Sequence, residues 1–230
     1  MKQTLGGNVS EAGEPEDPGA DELAQLPEDA ARYHWVHDAG TRGWIEAATF
    51  SFVRGMPQDE VIQRLGDGRA AALRPVSMDE AAELDRRSGW LYSSEEVGVA
   101  VVDTIGAWTI VAEPNGWRGA DTGVIERVSE GGELISVYWN IEGVTRIAYA
   151  IDGMVITAVD ALLPEDREGT DPDRLSPLME DLPIGDHPLV GSVFSATQIA
   201  GMSVAGRLTG VWLDPTWAAT PRRAVRLPWP

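Results

Sequence analysis

The residues best placed to do chemistry lie in one short run, Glu113-Pro114-Asn115-Gly116-Trp117-Arg118. A carboxylate, a carboxamide, an indole and a guanidinium follow one another around an Asn-Gly turn signal. Trp139-Asn140 closes a later apolar run and Arg146 falls on the next one. Glu113, Asn115, Trp117, Arg118, Trp139, Asn140 and Arg146 are therefore the candidate binding residues. Together they would form a polar-aromatic pocket for a small ligand or a peptide, with the indole as stacking platform or interface anchor. The bland alternative uses the same residues structurally. Trp117 would fold back into the core, Asn115-Gly116 would only turn the chain, and Glu113 would pair with Arg118 or Arg146.

Other chemistries find little here. The chain has no Cys, so thiol nucleophiles and disulfides are excluded. His34-x-x-His37-Asp38 could share a helix face, but there are only three His in the chain and no third lies near. No metal and no cofactor is expected. There is no G-x-S-x-G elbow, H-E-x-x-H or Walker loop. The glycines at 116, 119 and 123 do not have the G-x-G-x-x-G spacing. No catalytic residue is assigned, and a non-enzymatic binding protein is the expectation.

Charge narrows the partner. The net charge is −19. Nucleic acid is disfavoured, because Lys and Arg supply most of that binding, and so is an anionic membrane surface. A protein with a basic surface remains, which an immunity or antitoxin-type protein would mask. A small-ligand sensor or an enzyme at the E-P-N-G-W loop is the alternative. No apolar run approaches the roughly 20 residues of a membrane helix, and no signal sequence is visible, so the cytoplasm is the expected location.

The elements that must position these residues follow from pattern. Residues 1–29 are acidic and poor in large apolar groups, and read as a disordered tail. Phe50 and Phe52 alternate with Ser51 as on a strand. Pro57 to Leu65 reads as a helix stopped by Gly66, and Ser77 with Glu80 as the capping box of another helix that ends at Gly89. Val99 to Val102 and Trp108 to Ala112 form a hairpin. Leu134 to Asn140, Val144 to Ile151 and Met154 to Val159 form a meander, with Asp152-Gly153 as its last turn. Thr122 would cap a short helix, Asp171-Pro172 would start another, and 187–209 gives the longest helical pattern. Residues 218–230, with Arg222, Arg223 and Arg226, read as a loose basic tail. The expected fold is α+β, one domain over 30–217. Its mainly antiparallel sheet of five to six strands is packed on one face by the helices at 57–65 and 187–209.

Five segments carry a resemblance. They are F-V-R-G-M-P-Q-D-E-V-I-Q-R-L-G (52–66), W-T-I-V-A-E-P-N-G-W-R-G (108–119), I-S-V-Y-W-N-I-E-G-V-T-R-I-A-Y-A-I-D-G (135–153), D-P-D-R-L-S-P-L-M-E-D-L-P (171–183) and L-T-G-V-W-L (208–213). They resemble an actinobacterial family, the domain of unknown function 6461, over roughly 30–217. The resemblance implies one fold and an actinobacterial host, and no particular chemistry.

Overall fold

The computed structural model describes residues 26–37, 44, 47–87, 97–185 and 193–228. Strands are β1 (Ala48–Arg54), β2 (Ala71–Val76), β3 (Val97–Ile105), β4 (Trp108–Pro114), β5 (Glu133–Trp139), β6 (Thr145–Ile151), β7 (Met154–Asp160) and β8 (Arg222–Pro228). Helices are α1 (Glu28–Ala31), α2 (Gln58–Leu65), α3 (Met78–Arg87), α4 (Thr122–Ser129), α5 (Ser176–Met179), α6 (Val193–Thr209) and α7 (Pro215–Ala219). The strands form a single sheet in the order β2-β8-β3-β4-β1-β5-β6-β7, and every described pairing is antiparallel.

The class is α+β, as the pattern indicates, but the sheet has eight strands rather than five or six. The two added strands are β2 and β8. β2 is a short, largely exposed edge strand that holds Pro75, a composition that blunts edge pairing and hides the strand signal. β8 overturns the loose tail. Arg222–Pro228 pairs with β2 on one side and β3 on the other, and buries Ala224, Val225 and Leu227. Its arginines obscured the apolar pattern. Arg222 pairs with Asp103 at 3.2 Å and lies over the Trp217 ring, while Arg223 reaches Asp59 at 2.6 Å.

The helices cover both faces of the sheet, not one. Phe50 and Phe52 of β1 point to one side and Thr49, Ser51 and Val53 to the other. The first side holds Trp44, Phe50, Trp139 and Trp217 under α3 and α6. Phe50 stacks on Trp139 with centroids 5.5 Å apart. The second side holds Val53, Val111 and Leu134 under α2 and α4, through Ile62, Leu65 and Ile125. So the helices at 58–65 and 193–209 lie on opposite faces. The physical reason is the apolar run Val99-Ala100-Val101-Val102. It is buried on both sides of β3, as only a strand covered twice can be.

Local signals behave as their chemistry requires. The capping box of α3 forms reciprocally, with Glu80 N–H donating to Ser77 Oγ at 3.3 Å and Ser77 N–H to Glu80 Oε2 at 3.1 Å. The α4 cap is Asp121 rather than Thr122, and its carboxylate accepts from Val124 N–H. Asp171 starts turns, and the helix forms only at Ser176. Small residues let α6 approach the sheet. A Cβ on Gly201 would come within 2.7 Å of Val137. The fold begins earlier in the chain than residue 30. Asp29 belongs to α1 and binds Arg207 of α6, so the fold includes residues assigned to the tail. Residues 1–25 lie outside the described residues. Among those described, no helix is long and apolar enough to cross a membrane.

Candidate functional site

The run Glu113 to Arg118 forms a closed corner at the end of β4. Pro114 ends the ladder, and Asn115 takes a left-handed φ of 59° that turns the chain. Asn115 N–H then donates to Ala47 O at 2.8 Å, and Thr49 Oγ1 donates to Gly116 O at 2.7 Å. Arg118–Ala120 makes one tight helical turn that brings Gly119 back over the sheet. Gly119 N–H donates to Glu113 Oε1 at 2.8 Å. The closeness is demanding: a Cβ on Gly119 would lie 2.4 Å from Ser51 Oγ and 3.0 Å from Glu113 Oε1. That carboxylate oxygen is therefore occupied by the chain itself and is closed to a ligand.

Electrostatics follow from this enclosure. Glu113 is 2% exposed. Burial pushes its carboxyl up from 4.5 to about 7, against the opposing pull of the Gly119 N–H and the Arg118 charge. Arg118 is also buried, and burial lowers its pKa despite Glu113. Its Nη1 donates to Leu65 O at 3.2 Å, a carbonyl in the last turn of α2, where a cation is favoured. A second carboxyl, Asp85 of α3, was not singled out from sequence. It is buried as well, and desolvation raises it to about 6, offset by the Val99 backbone and the Asn115 side chain. The signal existed. Asp85 stands four and three residues after Ala81 and Ala82, on the apolar stripe of the helix. Ser51 and Ser136, opposite one another on β1 and β5, add two buried hydroxyls that have no hydrogen-bond partner among the described residues.

The remaining candidates disperse. Trp117 does not fold into the core but stands 37% exposed at the corner's tip. Trp139 lies on the opposite face of the sheet, fully buried. Asn140 Oδ1 accepts from Glu142 and Val144 N–H, so it closes the β5–β6 turn. Arg146 shares the face of Glu113 but lies three strands away, in the row Glu113, Thr49, Tyr138, Arg146. At about 4.8 Å per strand they are roughly 14 Å apart. Arg146 approaches Glu168 instead, at 3.5 Å. Glu113, Asn115, Trp117 and Arg118 thus form one corner, and the three others serve elsewhere. Among the described residues no group of three His, Asp or Glu is placed to hold a metal ion.

A second region follows the last strand of the meander. After β7 the chain runs back along that strand. Glu168 exchanges both backbone hydrogen bonds with Ala158 at 2.9 Å, and Thr157 Oγ1 donates to Pro172 O. Gly169, at φ 114°, allows the contact, since a Cβ there would meet Ile156 O at 2.3 Å. Two adjoining depressions of about 510 and 560 Å³ open on this segment and meet at Pro164 and Arg167.

The model of the family of unknown function DUF6461 matches residues 28–220. The chain belongs to this family. The family match takes in the corner, Asp85 and both depressions, and ends just before β8. No curated protein matches the chain, and no solved structure does.

Proposed function

We propose that this DUF6461 protein is a non-enzymatic binding protein that engages another protein through that partner's basic surface. The observation that carries the reading is how its charge is spent. There are 37 acids against 18 Lys and Arg. Ten described arginines already stand against carboxylates of the same chain. The charge left facing solvent is acidic, and it attracts cations and repels phosphate backbones and anionic lipid. Glu113 Oε1 accepts from the Gly119 N–H and Arg118 Nη1 donates to Leu65 O, which supports a structural role for these two residues. An immunity or antitoxin-like protein in the cytoplasm of an actinobacterium is one concrete form.

One observation favours the alternative, a small-ligand sensor or enzyme at the E-P-N-G-W loop. Two carboxyls that burial raises toward neutrality, Glu113 and Asp85, act on one another at the corner that carries the exposed Trp117.

Affinity capture from the native host, eluted by a salt gradient, tests the main reading. The expected partner is a protein with a positive surface, released as ionic strength rises from about 0.05 to 0.5 M. A partner with an acidic surface, or one retained through the gradient, overturns it.

A further inference from the structure

We propose that the furrow on 163–184 is the docking site, and that it takes an extended peptide segment in which Lys or Arg alternates with apolar residues. This rests on the basic-partner reading above and adds the place and the chemistry of contact.

The segment has the composition such a ligand needs. From Asp160 to Asp181 there are eight acids and two arginines. Glu165, Asp173 and Glu180 stand exposed at the rim of the two depressions, while Met179, Leu182 and Ile184 give one of them an apolar floor. Leu163, 52% exposed, directly precedes Pro164 and adds apolar surface to the same segment. A Lys or Arg suits both parts at once, because its methylene stem lies on apolar surface while its charged head reaches a carboxylate.

The furrow is built rather than incidental. Arg167 spans it, with Nη1 donating to Asp173 Oδ1 at 2.8 Å and to Ser176 Oγ, and Nε donating to Pro164 O at 2.5 Å. Its charge is thus committed within the chain and holds the walls at a fixed separation. Pro164, Pro172 and Pro177 limit the backbone further, and the β7 bridge anchors the segment to the sheet. A wall that is already rigid loses little entropy when a peptide is seated on it. Glu165 and Glu180 make no ion pair among the described residues, so they are available to a cation.

The test uses the full chain and fluorescein-labelled dodecapeptides followed by polarisation. One peptide alternates Arg and Leu, one alternates Arg and Ser, and one alternates Glu and Leu. Two double variants remove the same charge, E165Q/E180Q at the rim and E126Q/E142Q on other exposed surface. Native circular dichroism confirms that each folds. The Arg-Leu peptide is expected to bind, the Arg-Ser peptide to bind roughly tenfold more weakly, and the rim variant to lose roughly tenfold while the remote variant loses less than twofold. Equal loss in both variants, or equal binding of the Arg-Ser peptide, overturns the furrow but leaves the basic-partner reading standing. Failure of both Arg peptides, or preference for the Glu-Leu peptide, overturns both.

Discussion

Glu113 gives the sharpest test of whether the corner is structural. Its carboxyl is raised to about 7 in the folded chain, from an ordinary 4.5. The folded state therefore binds a proton more tightly than the unfolded state, and stability falls as pH rises from about 4.5 through about 7. At 1.36 kcal/mol per pKa unit, this site alone removes about 2–3 kcal/mol between pH 5 and pH 8. E113Q keeps an acceptor for the Gly119 N–H but cannot ionise. The assay is urea unfolding by tryptophan fluorescence at pH 5, 6, 7 and 8, for both proteins. With an m-value of about 2 kcal/mol/M, the wild-type midpoint should drop by about 1 M more than that of E113Q over this range. Other acids, Asp85 included, tilt both curves, so only the difference between them counts. Parallel curves would refute the buried, enclosed carboxyl, and with it the corner.

Three further outcomes are expected. G119A should lose about 1–3 kcal/mol, because its Cβ has no room between Ser51 and Glu113; an unchanged melting temperature would count against the closed turn. R207M should lose about 2 kcal/mol near neutral pH, since Arg207 joins Asp29 at 2.7 Å and Asp181 at 2.5 Å. Hydrogen bonding to Arg207 lowers both carboxyls. Their contribution is present above the ordinary carboxylate range and lost as pH falls through the depressed values, so the deficit of R207M should shrink in acid, as thermal melts at pH 7 and pH 3 would reveal. Deleting residues 221–230 should abolish cooperative unfolding, because β8 lies inside the sheet between β2 and β3; a sharp transition in the truncated chain would contradict that placement.

Much of the local structure was legible because its cause is local. The Ser77–Glu80 capping box, the stop at Gly66 and the Asp152-Gly153 turn each depend on residues within a few positions. The strands of the meander were legible because alternation and β-branching are strand chemistry. Their neighbours were not. β1, from early in the chain, slips between β4 and β5, which no nearby residue announces. β8 was hidden because three arginines look solvated in sequence, and the partners of two of them, Asp103 for Arg222 and Asp59 for Arg223, lie far away along the chain.

The candidate site divides the same way. Residue types and the Asn-Gly turn located the corner, while packing decided that Trp117 stands exposed at its tip rather than in the core. That Glu113 faces the α2 and α4 side while Trp139 faces the other follows from strand parity and pairing register. That Glu113 titrates near neutrality follows from burial, which only packing creates. Sequence by itself determined the turns, the caps, the class of fold and the acidic excess, because each is a property of neighbouring residues or of composition. Tertiary structure alone decided which face each side chain occupies, which arginines are neutralised at long range, and that the acidic stretch after β7 lies along a sheet edge as a furrow, because those depend on contacts between residues far apart in the chain.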